Sequence, residues 1–198
     1  MIEQDLLDKN DLRIEFQGGS ISVWDEFLPV LNRIKEYGIS EVMYHTNAIT
    51  FIPEISALAA TVKSSMSIAL DSGSAETYKR IKSENLFEQA VENIIKYANA
   101  GILISCKYII VKNVNDNADD ISEFLNTIKS IRNKIINKHN VNVMIDIDFR
   151  DSLSSKDYTI PEHYMELISK AINFCKKENI EIGFQDFIKN KLKEKTLL

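Results

Sequence analysis

Several short segments of this chain alternate apolar and polar residues one by one, and the stretches between them change to helical spacing. In the first segment Ile14 and Phe16 fall on one side, with Arg13, Glu15 and Gln17 on the other. In the third, Met66, Ile68 and Leu70 oppose Ser67, Ala69 and Asp71; in the fifth, Val143, Ile145, Ile147 and Phe149 oppose Asn142, Met144, Asp146, Asp148 and Arg150. Strand–helix alternation with long crossovers demands a parallel sheet. Parallel strands covered on both faces read as nearly continuous apolar runs, and these do not. One face is therefore apolar, for helices, and the other polar. The sheet is expected to curl into an open, partial barrel with a wet, charged lumen, because a closed eight-stranded barrel fills its interior with branched apolar side chains.

Strands are expected over 12–17, 41–46, 66–71, 103–111 and 141–149, with a short one at 180–184. The helix 24–37 carries Phe27, Leu28, Leu31 and Ile34, and Gly38 closes it. Pro53 opens a short helix to about residue 62, Ser74 caps the next, and Asn85 caps 86–100 before Gly101. Ile121, Phe124, Leu125, Ile128, Ile131 and Ile135 line one face of a long helix over 118–138. Pro161 leads a helix to about residue 178, and a basic helical tail follows, its lysines over 189–195 forming a solvated face. The 198 residues suffice for one domain and not comfortably two, and no internal repeat is present.

Hydrophobic content of 44% with 27% charged residues places the chain among globular proteins. A net charge of -5 argues against a nucleic-acid partner, which needs a basic face. No apolar run approaches the ~20 residues of a membrane span, and the start of the chain lacks a signal-peptide pattern. The two cysteines, Cys106 and Cys175, stand far apart, so neither a disulfide framework nor a metal-ligand spacing exists. A cytoplasmic location fits these features.

Small polar residues and glycines cluster where strands give way to helices: Gln17-Gly18-Gly19-Ser20, His45-Thr46-Asn47-Ala48 and Asp71-Ser72-Gly73. In α/β folds that edge binds ligands. Gly18 and Gly19 permit close backbone approach to a ligand, and equally an ordinary turn. Lys107, Asp146, Asp148 and Arg150 face the expected lumen. They suit a polar substrate or acid–base work; an internal network with Arg13 and Glu15 fits the same pattern, and Lys107 could pair with Glu15 or Asp146. His45 reads first as a hydrogen-bonded interior histidine. His139 and His163 lie at helix ends, facing solvent. Asn113, Asn115, Asn117 and Asp119 alternate as in a calcium loop, but the required glycine and terminal glutamate are absent.

Taken in order, these strand ends resemble the radical S-adenosylmethionine (SAM) superfamily over about residues 10–150, with 151–198 as a helical extension. Gln17-Gly18-Gly19-Ser20 resembles the family's Gly-Gly-Glu motif, and Thr46-Asn47-Ala48 its Thr-Asn-Gly. Ala69-Leu70-Asp71-Ser72-Gly73, followed by Glu76-Thr77-Tyr78-Lys79-Arg80-Ile81-Lys82, resembles the Ser-Leu-Asp-Gly strand and its helix. Phe87, Val91-Glu92-Asn93-Ile94, Lys107-Tyr108-Ile109-Ile110 and Asn115-Asp116-Asn117 continue the similarity. The resemblance implies an α/β fold, an incomplete parallel (β/α) partial TIM barrel. It implies that Gly18, Gly19 and Ser20 hold the methionine end of SAM, and that Thr46, Asn47, Asp71 and Ser72 line its pocket. Lys107, Asp146, Asp148 and Arg150 would then face a small-molecule or peptide substrate.

The departures carry equal weight. Ser20 replaces the glutamate, Ala48 a glycine and Ala69 a serine. The family's three-cysteine loop, which holds a [4Fe-4S] cluster, would fall upstream of Met1, and without three thiolates no cluster is ligated. Cys106, inside a strand, and Cys175, in a helix, read as core thiols. The expectation is a truncated or decayed relative of a radical SAM enzyme, inactive alone. A cluster-free module for SAM, a nucleotide or a sugar-like ligand, and an unrelated α/β metabolic enzyme, are the rivals. A missing first strand would also leave the edge at residues 13–17 open to self-association.

Overall fold

A computed structural model describes residues 12–17, 24, 26–148 and 160–194. Six strands form one sheet in chain order: β1 (Arg13–Phe16), β2 (Glu41–Thr46), β3 (Lys63–Ala69), β4 (Leu103–Ile110), β5 (Val141–Ile147) and β6 (Ile182–Phe184). Every pairing is parallel. The crossovers carry α1 (Phe27–Tyr37), α2 (Pro53–Leu58), α3 (Ala75–Lys82), α4 (Phe87–Asn99), α5 (Ala118–Lys134) and α6 (Glu162–Lys177), and α7 (Asp186–Glu194) follows β6. The sheet is open, and the architecture is the expected partial parallel barrel.

The alternation sorts as expected. Val42, Tyr44, Met66, Ile68, Ile104, Cys106, Tyr108, Ile110, Val143 and Ile145 are buried on the helix side. Against them pack Leu31 and Ile34 of α1, Ile94 and Tyr97 of α4, Phe124 and Ile128 of α5, and Ile168 and Ala171 of α6. Each leucine, isoleucine, valine, methionine or phenylalanine among them contributes about 1.5–3 kcal/mol by leaving water. On the opposite face, register sets His45 beside Ser67, Ser67 beside Ser105, and Ser105 beside Asn142. Among the described residues no helix is long and apolar enough to cross a membrane.

The element ends differ from the expectations for local reasons. α1 begins at Phe27 rather than residue 24, and Gly38 closes it in the left-handed region at φ 65°. β3 starts at Lys63 and stops at Ala69, because Leu70 N turns back to Ile68 O and Asp71 adopts φ 59°. Ser74 caps α3, its Oγ accepting from Thr77 N. Asn85 does not cap α4: Leu86 holds the cap position without a side-chain bond. α5 stops at Lys134, yet Ile135 stays buried in extended backbone. Its apolar spacing outruns the helix because the next residues still pass along the core.

Candidate functional site

The carboxyl ends of β3 and β4 are tied together by two buried side chains, Asp71 and Asn115. Asp71, just past β3, accepts from Ile109 N through Oδ1 (3.0 Å) and pairs through Oδ2 with Lys82 Nζ (2.5 Å). Its own N–H donates to Lys107 O. Asn115, fully buried after β4, donates to Asp71 O (2.8 Å) and Ile109 O (2.9 Å) and accepts from Val111 N (2.7 Å). Tyr108 Oη donates to the Asn115 carbonyl. Asn115 is thus a strut between two strand ends.

The neighbouring motif residues have separate tasks. Ser72 is buried, its Oγ donating to Ser74 O (3.3 Å). Gly73 lies flat against α5: a Cβ there would stand 1.9 Å from Phe124 N, so close approach alone demands glycine. Beyond β2, Thr46 Oγ1 accepts from Ala48 N and Asn47 Oδ1 from Ile49 N, each at 3.1 Å. Ala48 sits at φ 59°, the conformation that favours the glycine it replaces. Asn93 of α4 holds that loop by donating to the Ala48 and Ile49 carbonyls.

Asp146 of β5 is 4% exposed. Its Oδ1 accepts from Ile147 N, while Oδ2 accepts from Gln185 Nε2 and lies 3.6 Å from Lys107 Nζ. Burial raises its pKa, against the opposing pull of the Ile147 N–H and the Lys107 ammonium. Asp148 N donates to Ile110 O, which carries Asp148 to the same edge. A cleft of about 370 Å³ opens there, its walls divided between Ile81, Ile109, Val111 and Ile147 and the polar Asp71, Lys82, Asp146 and Asp148.

Of the residues singled out in the sequence, Asp71, Asp146 and Asp148 therefore meet at one cleft, with Lys107 behind Asp146. Thr46 and Asn47 build the β2 loop, and Ser72 points into the structure. Gly18, Gly19, Ser20 and Arg150 lie outside the described residues. Lys82 and Gln185 received no role from the sequence; Lys82 stood within the quoted α3 motif, whereas nothing marked Gln185. Toward β1, His45 Nε2 meets Glu15 Oε1 at 2.6 Å, and Gln17 donates to the same oxygen. These bonds, His45 first, hold the Glu15 carboxyl below its usual range.

Both cysteines are core thiols, as expected. Cys106 faces the helices from β4, Cys175 packs inside α6, and burial pushes each thiol up to about 12. Thiolate, the ligating form, is thereby suppressed. Two buried cysteines on separate elements do not fit a [4Fe-4S] cluster. The cleft does fit an amphiphilic nucleoside such as SAM: apolar walls for a base beside carboxylates for hydroxyl or ammonium groups.

The fold and cleft define a class: an open parallel α/β half-barrel with a polar face and a cleft at its carboxyl edge. Residues 4–128 match the sequence profile of the Radical SAM superfamily, and the chain belongs to that superfamily. The match removes the rival reading of an unrelated α/β enzyme. A domain of pyruvate-formate lyase-activating enzyme from Bacteroides vulgatus ATCC 8482 superposes with a TM-score of 0.62 at 17% identity, over 86% of this chain and 97% of that one. Streptococcus suis SuiB bound to S-adenosylmethionine gives 0.59 at 12% identity, over 87% of this chain. A radical SAM methyltransferase from Sphaerobacter thermophilus gives 0.50 at 12% identity, over 73% of this chain. The chain spans only 38% of that SuiB chain and 40% of the methyltransferase. At these identities the likeness is one of fold. No curated protein matches the chain significantly.

Proposed function

We propose that the carboxyl edge of this half-barrel binds SAM without holding an iron–sulfur cluster of its own. The observation that carries the reading is the mixed apolar and acidic cleft at the ends of β3, β4 and β5. The superfamily's strand-end motifs run along the same edge, and SuiB, of similar fold, has been seen with SAM bound. Gly18, Gly19 and Ser20 would take the methionine end, with Thr46, Asn47 and Asp71 around the nucleoside, while the buried Ser72 shapes the turn beside them. SAM, when bound, supplies a sulfonium activated toward loss of its attached carbon groups. Lys107, Asp146 and Asp148, with Arg150, would face a polar small-molecule or peptide substrate. Radical cleavage of SAM needs an electron from a cluster, whose three thiolates these 198 residues do not supply. The chain alone is therefore inactive in that reaction.

A second reading, a nucleotide site, has one observation in its favour: Lys82 lies in the cleft wall, where an ammonium can meet a phosphate. Calorimetric titration with SAM and, separately, with ADP decides between them. Heat with SAM at micromolar affinity, weakened in Asp71→Asn, is expected. Heat with ADP alone transfers the assignment to a nucleotide, and heat with neither overturns both. Anaerobic reconstitution with iron and sulfide should leave the protein colourless; a stable cluster spectrum would refute the cluster-free reading.

A further inference from the structure

We propose that His45 is a catalytic base that takes a proton from a hydroxyl-bearing substrate on the polar face of the sheet, with Glu15 as its positioning residue. The proposal rests on the reading above only in taking that face as the substrate side. His45 stands at the carboxyl end of β2, the strand end at which such sheets place reacting groups. Its Nε2 lies 2.6 Å from Glu15 Oε1, and Gln17 Nε2 donates to the same oxygen at 2.6 Å. An ionised carboxylate only accepts hydrogen bonds, so Nε2 carries the imidazole proton and Nδ1 keeps its lone pair. Among the described residues nothing bonds to Nδ1. This is the tautomer of a proton acceptor, fixed by a third group that orients the base. The side chains of His45 and Glu15 are 34% and 35% exposed, so the histidine is reachable rather than interior as its sequence setting suggests. The backbones of β1 and β2 already join these strands in register, and a pair this exposed adds little to that union.

The neighbours of His45 on that face indicate what it meets. Register sets Ser67 of β3 directly beside it, then Ser105 of β4 and Asn142 of β5. Ser67 is only 6% exposed, and its hydroxyl has no hydrogen-bond partner among the described residues. Buried hydroxyls are normally paired, so this one points to a polar group on a ligand. Two hydroxyls and an amide each donate and accept without charge, which suits an uncharged, polyhydroxylated substrate such as a sugar. The charged groups facing His45 from β1 are Glu15 and Arg13, the latter donating to Met43 Sδ. From β3 this face carries Ser65, Ser67 and Ala69, and Lys107 lies on β4, two strands or about 10 Å across the sheet. Glu15 disfavours an anionic group at this end. In the step itself a substrate O–H bond breaks and an Nδ1–H bond forms. The oxygen keeps the electron pair, and the Glu15 carboxylate, still ionised, holds the new imidazolium.

Two measurements on the full chain test this, neither using SAM, so failure here is separate from failure of the cleft to bind SAM. In proton–carbon NMR the His45 ring signal should shift on addition of millimolar D-ribose or xylitol, while the His139 and His163 signals stay in place. Sodium gluconate, which adds a carboxylate, should shift it less, and Ser67→Ala should abolish the response to both polyols. Base strength is read from hydrolysis of 4-nitrophenyl acetate, in which water supplies the hydroxyl. The wild-type rate should rise with pH as the His45 ring loses its proton in its own NMR titration, and should fall in heavy water. His45→Gln should lower the rate at least roughly tenfold. Glu15→Gln should lower the plateau and move the midpoint of the pH profile down, because the imidazolium loses its counter-charge. Circular dichroism confirms that each variant is folded. No ring shift with either polyol, an unchanged rate in His45→Gln, or an unchanged profile in Glu15→Gln overturns the proposal.

Discussion

Replacing Asn115 by alanine should be among the most damaging single changes outside the apolar core. The side chain is fully buried and makes three hydrogen bonds: two donated, to Asp71 O and Ile109 O, and one accepted, from Val111 N. A typical internal hydrogen bond contributes about 1 kcal/mol net, and a buried partner left unpaired costs about 1–3 kcal/mol. The alanine removes all three bonds and admits water to some of the stranded groups, so the loss should be about 3 kcal/mol. For a chain of this size that corresponds to a fall in Tm of about 6–12 °C. Urea unfolding followed by circular dichroism measures it directly. Asn115→Asp sharpens the test. It keeps an acceptor for Val111 N, but turns carboxylate oxygen toward two carbonyls beside the Asp71 carboxylate, so it should be worse than alanine at neutral pH. A loss below about 1 kcal/mol for alanine, or a harmless aspartate, would refute the assignment of Asn115 as the strut between the β3 and β4 ends.

Gly73→Ala should cost about 3 kcal/mol or prevent folding, because the new Cβ meets α5 backbone at 1.9 Å. Gly183→Ala is the control: its nearest contact would be Met144 Cε at 3.6 Å, and its melting point should barely move. Asp146 titrates with a folded pKa raised above its unfolded value, so its stabilising contribution is complete below the unfolded pKa and is lost as pH rises through the folded one. Asp146→Asn removes that loss. Its Tm relative to wild type should therefore climb as pH rises from the ordinary aspartate value of 3.8 toward neutrality, and a flat difference would show that Lys107 and Gln185 offset the burial completely.

The sequence disclosed faces better than partners, and the reason is geometric. Period-two alternation is a property of neighbouring residues, so Ile14, Met66 and Val143 could be assigned to the helix side from their surroundings alone. The quoted strand-end motifs located the cleft for a related reason: Ser72, Gly73, Asn93 and Asn115 solve local backbone problems of a turn, a close approach or a loop carbonyl, and such problems constrain residue type. The pairings inside the lumen have no local signature. Lys82 reaches Asp71 from eleven residues away, and Gln185 reaches Asp146 from thirty-nine. Lys107 shows what decides such contacts. Glu15 and Asp146 share its face and its opposite charge, so composition alone leaves both open. Register sets Lys107 beside Met144, and Asp146 is the next residue on that face of the adjacent strand. Glu15 stands three strands away on β1, about 14 Å across the sheet at ordinary strand spacing, and it is already bonded to His45. Only the strand order could make that choice, because order converts a shared face into a distance that a lysine either spans or does not.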